Sequence, residues 1–139
     1  MKNLAIHPNQ WGAFCEAFTE LNRGTLMSVD LHHLDNRRDG IARDAVFQEM
    51  IWDTSPACSS IITLRFGQEG EMRTDHVVIE PIHLRVKQNG DGQKFLQIEA
   101  ENGVTLVNFR SGRLPMEDFE SEFKSFGRGK NQSEVAASS

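Results

Sequence analysis

Ile82-His83-Leu84-Arg85-Val86-Lys87-Gln88, then Asn89-Gly90-Asp91-Gly92, then Phe95-Leu96-Gln97-Ile98-Glu99-Ala100, then Glu101-Asn102-Gly103, then Val104-Thr105-Leu106-Val107-Asn108-Phe109: this stretch reads as three strands joined by two tight turns. Ile82, Leu84 and Val86 alternate with His83, Arg85 and Lys87, and Leu96 and Ile98 alternate with Gln97 and Glu99. Successive side chains on a strand point to opposite faces, so each strand has one apolar and one polar face. Asn-Gly between such runs is a strong hairpin signal, because both residues take positive φ at low cost. The stretch is an antiparallel meander.

Working outward, residues 61–66 repeat the pattern, with Ile62, Leu64 and Phe66 alternating with Thr63 and Arg65. Residues 76–80 form another strand, stopped or bulged by Pro81, whose nitrogen has no proton for a ladder. In residues 25–33, Met27, Val29, Leu31 and His33 share one face and Ser28, Asp30 and His32 the other. Residues 46–52 are apolar with mixed period and are read as a strand. Between these lie a polar loop at 35–44, holding Arg37, Arg38, Asp39, Gly40 and Arg43, a loop at 53–60 around Pro56, and a polar turn at 67–75.

The two ends of the chain are helical in pattern. Residues 1–6 form an extended lead-in. Pro8 suits the first turn of a helix, where its missing N–H is not needed. Trp11, Phe14, Cys15, Phe18 and Leu21 follow on one face, and Gly24 supplies the left-handed residue past the end, so a helix spans 9–23. After the connector at 110–113, Pro115 opens a short helix. Glu117, Asp118 and Glu120 lie in its early turns, where the helix dipole favours them, and Phe119, Phe123 and Phe126 form its stripe. Residues 127–139 have the composition of a disordered tail. The expectation is one α+β domain over 1–126, with an N-terminal and a short C-terminal helix. It is built on a strongly twisted antiparallel sheet or a small β-barrel.

With 139 residues, 38% of them hydrophobic and 25% charged, the chain is long enough for one sizeable core. A net charge of -5 disfavours a nucleic-acid partner, since phosphate binding draws on clustered Lys and Arg. Two cysteines do not make a disulfide framework. No apolar run approaches a membrane span or a secretion signal, so cytoplasm is the expected compartment.

The segments Gln10-Trp11-Gly12-Ala13-Phe14 and Ile98-Glu99-Ala100-Glu101-Asn102-Gly103-Val104-Thr105-Leu106-Val107-Asn108-Phe109-Arg110 resemble a family of small bacterial proteins catalogued only as a domain of unknown function. The resemblance covers roughly residues 6 to 111, fits the 35–60 segment poorly, and implies a fold without implying an activity. The order of a helix followed by strands is similar, at the level of architecture alone, to the Sm-like barrel.

Candidate sites are few. His32, His33 and Asp35 are the nearest approach to a metal cluster, but neighbouring strand residues face opposite ways, so the two histidines do not ligate one ion. Asp75-His76 has the pattern of an oriented imidazole but lacks a nucleophile elbow. Cys58 lies in a Ser- and Pro-rich loop, and Cys15 on the apolar helix face. The Gly-rich segments at 67–70 and 89–92 join strands, whereas a phosphate loop leads into a helix. The reading is a non-enzymatic module that binds another protein or a second copy of itself, without metal or cofactor, with Phe119, Phe123 and Phe126 as interface residues. The first alternative is a small RNA-binding barrel using Arg37, Arg38 and Arg43 with Arg65 and Arg73. The second is an enzyme using His76 or Cys58.

Overall fold

Alternation along 82–109 puts those residues in the middle of an eight-stranded antiparallel sheet. The computed structural model describes residues 2–57, 59–67, 73–88, 90 and 93–109. The strands are β1 (Lys2–Ala5), β2 (Leu26–His33), β3 (Arg38–Asp53), β4 (Ile61–Phe66), β5 (Thr74–Ile79), β6 (His83–Gln88), β7 (Lys94–Ala100) and β8 (Gly103–Asn108). Their order in space is β1-β6-β7-β8-β2-β3-β4-β5, and the sheet is open, with β1 and β5 at its two edges. The barrel alternative is thereby set aside. The short C-terminal helix expected around Phe119, Phe123 and Phe126 lies outside the described residues.

Strand β3 decides the shape. Its first half pairs with β2 through Val46 and its second half, from Phe47, pairs with β4. The change of partner comes with a bulge between Phe47 and Glu49 and a left-handed Asp44 at φ 48°. A bulge adds twist and bends the strand, so one continuous sheet becomes a six-strand part (β1, β6, β7, β8, β2 and the first half of β3) and a three-strand part (second half of β3, β4, β5). This corrects the expectation of a loop at 35–44. Polar residues extend there because the hairpin with β2 supplies their backbone partners, from His32↔Arg38 to Val29↔Ala42.

The helix seals the fold. A 3-10 turn, Pro8–Gln10, leads into α1 (Trp11–Asn22), which buries Trp11, Phe14, Cys15 and Phe18. Phe18 sits edge-on to Phe47 of β3 and to Phe109 at the end of β8, with ring centroids 5.3 and 5.1 Å apart. Phe47 in turn meets Phe66 of β4. Edge-to-face packing adds attraction beyond the area buried. The inner face around this cluster is completed by Met27, Val29, Met50, Ile62, Leu64, Leu84, Val86, Leu96, Ile98 and Val107, all buried. Two expectations are corrected here. Leu21, placed on the apolar helix stripe, is 39% exposed, and Ile82, placed on the apolar face of the meander, is 50% exposed. Ile82 precedes β6 at the corner after Pro81, where its N–H donates to Glu99 O. Gly103 begins β8 at φ 156°, and a Cβ there would lie 2.5 Å from His32 O, so no larger residue fits between β8 and β2.

Candidate functional site

The three-strand part has an inner and an outer face. Inward point Phe47, Met50, Ile62, Leu64, Phe66 and Val78, all buried. Outward, the register lines up three rows across β3, β4 and β5: Glu49–Arg65–Asp75, Ile51–Thr63–Val77 and Asp53–Ile61–Ile79. The first row is a charge ladder. Arg65 donates to Glu49 and to Asp75, and Arg73 reaches Asp75 at 3.4 Å. The other two rows are mostly β-branched and apolar. Val77 is 49% and Ile79 57% exposed, with Ile51, Ile61 and Thr63 half-buried beside them.

An antiparallel sheet with one face on a core normally turns polar side chains to water on the other. The six-strand part does so. Its outer face carries Arg85, Lys87, Gln97, Glu99, Ser28, Asp30 and His32, and its apolar residues Phe95, Val104 and Leu106 are each half-buried among them. Arg85 donates to Glu99 at 2.9 Å. The apolar rows of β3, β4 and β5 therefore stand out as the candidate binding surface. Sequence reading missed them, although a signal was present: Val77-Val78-Ile79 is apolar at both parities, the pattern of a strand covered on two faces, and β5 is an edge.

That edge has a defined polarity. Glu80 N–H donates to Ser60 O at 2.9 Å, in step with the pairing Ile61↔Ile79. In an antiparallel ladder, alternate residues turn their N–H and C=O to the same neighbour. Thr74, His76 and Val78 therefore face β4, and Asp75, Val77 and Ile79 present theirs to the open edge. Glu80 takes φ 53° just before buried Pro81, and its carboxylate accepts from Ser59 Oγ and Ser60 N, which fixes the corner where β5 ends.

A concavity of about 660 Å³ runs between α1 and β3, lined by Gly12, Cys15, Glu16, Glu20, Met50 and Trp52 among others. The Trp52 ring lies 3.4 Å from a Cβ position on Gly12, and its Nε1–H donates to Ser60 Oγ. Burial pushes the Cys15 thiol up to about 12, so it stays protonated and unreactive in this groove.

His32 and His33 face opposite ways. His33 Nε2 bonds to Asp39 Oδ2 at 2.7 Å, and His32 Nε2 is shielded with no hydrogen-bond partner among the described residues. Among the described residues no three His, Cys, Asp or Glu side chains converge on one point. His76 points inward from β5, and its Nε2 shares a hydrogen bond of 2.8 Å with Thr105 Oγ1 of β8, so it ties the three-strand part to the six-strand part. Desolvation lowers its pKa below the usual 6.5. Cys58 lies outside the described residues.

The arginines are spoken for. Arg37 binds Asp35 through both its side chain and its backbone N–H, which holds that carboxyl below the usual carboxylate range. Arg38 and Arg43 both approach Asp30, at 3.8 Å each. Arg65 and Arg73 gather at Asp75 instead. Arg23 aside, every described arginine lies within 4 Å of a carboxylate. Comparison of the chain with family models, with curated proteins and with solved structures finds no match in any of the three.

Proposed function

We propose that this protein is a non-catalytic binding module that associates with a second copy of itself through the open edge of its three-strand part, where the apolar outer rows end in Val77 and Ile79. One observation carries the reading: Ile51, Ile61, Val77 and Ile79 share an outer sheet face, and the last two are about half exposed. Apolar surface gathered in one place, rather than scattered singly, is the mark of an interaction site. The rim suits such a role, since the Glu49–Arg65–Asp75–Arg73 ladder satisfies its own charges and needs no partner to neutralise them. The arginines of the RNA alternative are each answered by a carboxylate of the same chain, which leaves that reading less support.

Light scattering on the full chain tests the proposal. The expected result is a dimer that becomes a folded monomer in Ile79→Lys. A wild-type chain that is monomeric at its highest soluble concentration overturns it. A chain ending at Leu114 separates the contribution of Phe119, Phe123 and Phe126: a dimer that survives the truncation keeps the interface on the sheet, and one that is lost moves it to that segment.

A further inference from the structure

We infer that the two copies join edge to edge, β5 antiparallel to β5 of the second copy, with Val77 of each facing Ile79 of the other. The inference rests on the self-association proposed above and adds its geometry.

The chemistry of the open edge fixes the kind of occupant. Asp75, Val77 and Ile79 offer backbone N–H and C=O groups spaced for a strand, so an extended backbone satisfies them and a helix face does not. Among the described residues the sheet has two terminal strands that could fill this role in a second copy. β1 is four residues long, and the register places Asn3 and Ala5 on its outer row. β5 is six residues long and carries Val77 and Ile79 there. Pairing β5 with β1 of the next copy would be head-to-tail, forming a ring where the rotation closes and a filament where it does not, and would set Val77 and Ile79 against the Asn3 and Ala5 row. Pairing β5 with β5 is isologous and closes with two copies.

Side-chain parity then selects the register. Residues directly opposite in an antiparallel pair lie on the same face, so outer residues meet outer residues. Setting Val77 against Val77 puts Asp75 opposite Ile79, and setting Val77 against Asp75 buries a carboxylate beside a valine. Setting Val77 against Ile79 matches apolar with apolar twice and leaves Asp75 with Arg65 and Arg73. The outer rows then continue across the joint as Ile51, Thr63, Val77 of one copy and Ile79, Ile61, Asp53 of the other. Both members of each facing pair carry edge-directed backbone groups, so each pair exchanges two hydrogen bonds. Pro81, two residues beyond Ile79, has no N–H to extend the ladder.

Charge exchange across the joint is the test. In the full-length chain, Val77→Glu alone and Ile79→Lys alone should each weaken the dimer by roughly tenfold or more, about 1.4 kcal/mol. The chain carrying both substitutions should regain most of the affinity, because each Glu then faces a Lys of the other copy, and should lose it again in high salt. Circular dichroism confirms the fold of each variant. If either charge unsettles the strand, Ile79→Thr keeps the branched shape and should weaken the dimer by a smaller factor. A monomeric wild type overturns the self-association reading and this inference together. A wild-type dimer that neither single variant weakens keeps self-association and overturns the edge pairing. Weakened single variants without rescue in the double variant overturn the register.

Discussion

At one end of the sheet β1 is four residues long and runs at once into the turn before α1; at the other, β5 runs six residues and leaves Val77 and Ile79 half exposed. A third edge lies between them. Beyond Phe47, β3 has β4 on one side only, and α1 closes the other. Thr19 Oγ1 accepts from Met50 N–H at 2.9 Å and donates to Met50 O at 3.1 Å, and Gly24 N–H donates to Phe47 O. Open edges invite pairing with another chain, and proteins blunt them by keeping them short or by covering them. β1 uses the first device and β3 the second. Among the described residues β5 uses neither, and Val77 and Ile79 on its outer side are apolar. The comparison teaches that exposure at β5 is not a general property of this sheet, since the same chain protects its other edges.

The largest effect is expected where the two parts of the sheet meet. Phe18 touches Phe47 in one and Phe109 in the other, and is fully buried. Phe18→Ala should cost about 3–5 kcal/mol. Denaturant melts should still show one transition, and two transitions would mean that the parts fold independently and that their edges are to be compared as those of separate domains.

A smaller loss is expected at the covered edge. Thr19→Val keeps the shape but leaves Met50 N–H and C=O without their partner, a cost of about 1–3 kcal/mol. A loss under about 0.5 kcal/mol in the same melts, within the usual range of surface substitutions, would show that the helix covers this edge by packing alone.

His76 anchors the exposed strand from inside, through Thr105. Its pKa in the folded chain is lowered by burial from the usual 6.5. Between that lowered value and 6.5 the unfolded chain binds a proton that the native chain does not. Stability associated with neutral His76 is therefore complete above about 6.5 and is lost as pH falls through the folded value. His76→Gln should flatten this part of the stability profile relative to wild type, and an unchanged profile would remove His76 as its source.

The smallest effect on the fold is expected at the open edge itself. Measured at a dilution where the chain is monomeric, Val77→Lys should change stability by no more than about 0.5 kcal/mol, because the side chain leaves the core untouched. A larger loss would mean that Val77 is a structural residue of the monomer and would weaken the contrast between β5 and the other edges.

Much of the fold was legible in residue order. Residues 61–66 form β4 as their alternation requires, and the 82–109 meander forms β6, β7 and β8 with ends shifted by a residue. Helical spacing of Trp11, Phe14 and Phe18 marked the face that α1 buries. The 35–44 segment misled because polar, arginine-rich residues there read as a loop. They are the solvent side and tip of a hairpin whose backbone pairing carries no side-chain signature. Candidate-site reading went to histidines, cysteines and arginines, whose chemistry is visible one residue at a time. The apolar rows were invisible in that way, because Ile51, Ile61 and Val77 come from three strands and adjoin only through register.

By itself the sequence determined that residues 61–66 and most of 82–109 extend and that Trp11, Phe14 and Phe18 mark the apolar side of a helix, because those depend on periods of two and about 3.6 residues within a few neighbours. It did not determine strand order, the bend in β3, or which strand ends at an edge. Those follow from long-range pairing: β1 goes to β6 and β8 to β2, which leaves β5 last, with no strand beyond it among the described residues. Val77-Val78-Ile79 is the same string of residues in a central strand or an edge strand. Only the tertiary structure decided that Val78 faces the core while Val77 and Ile79 face water, and that difference makes a segment of core-like sequence the candidate surface.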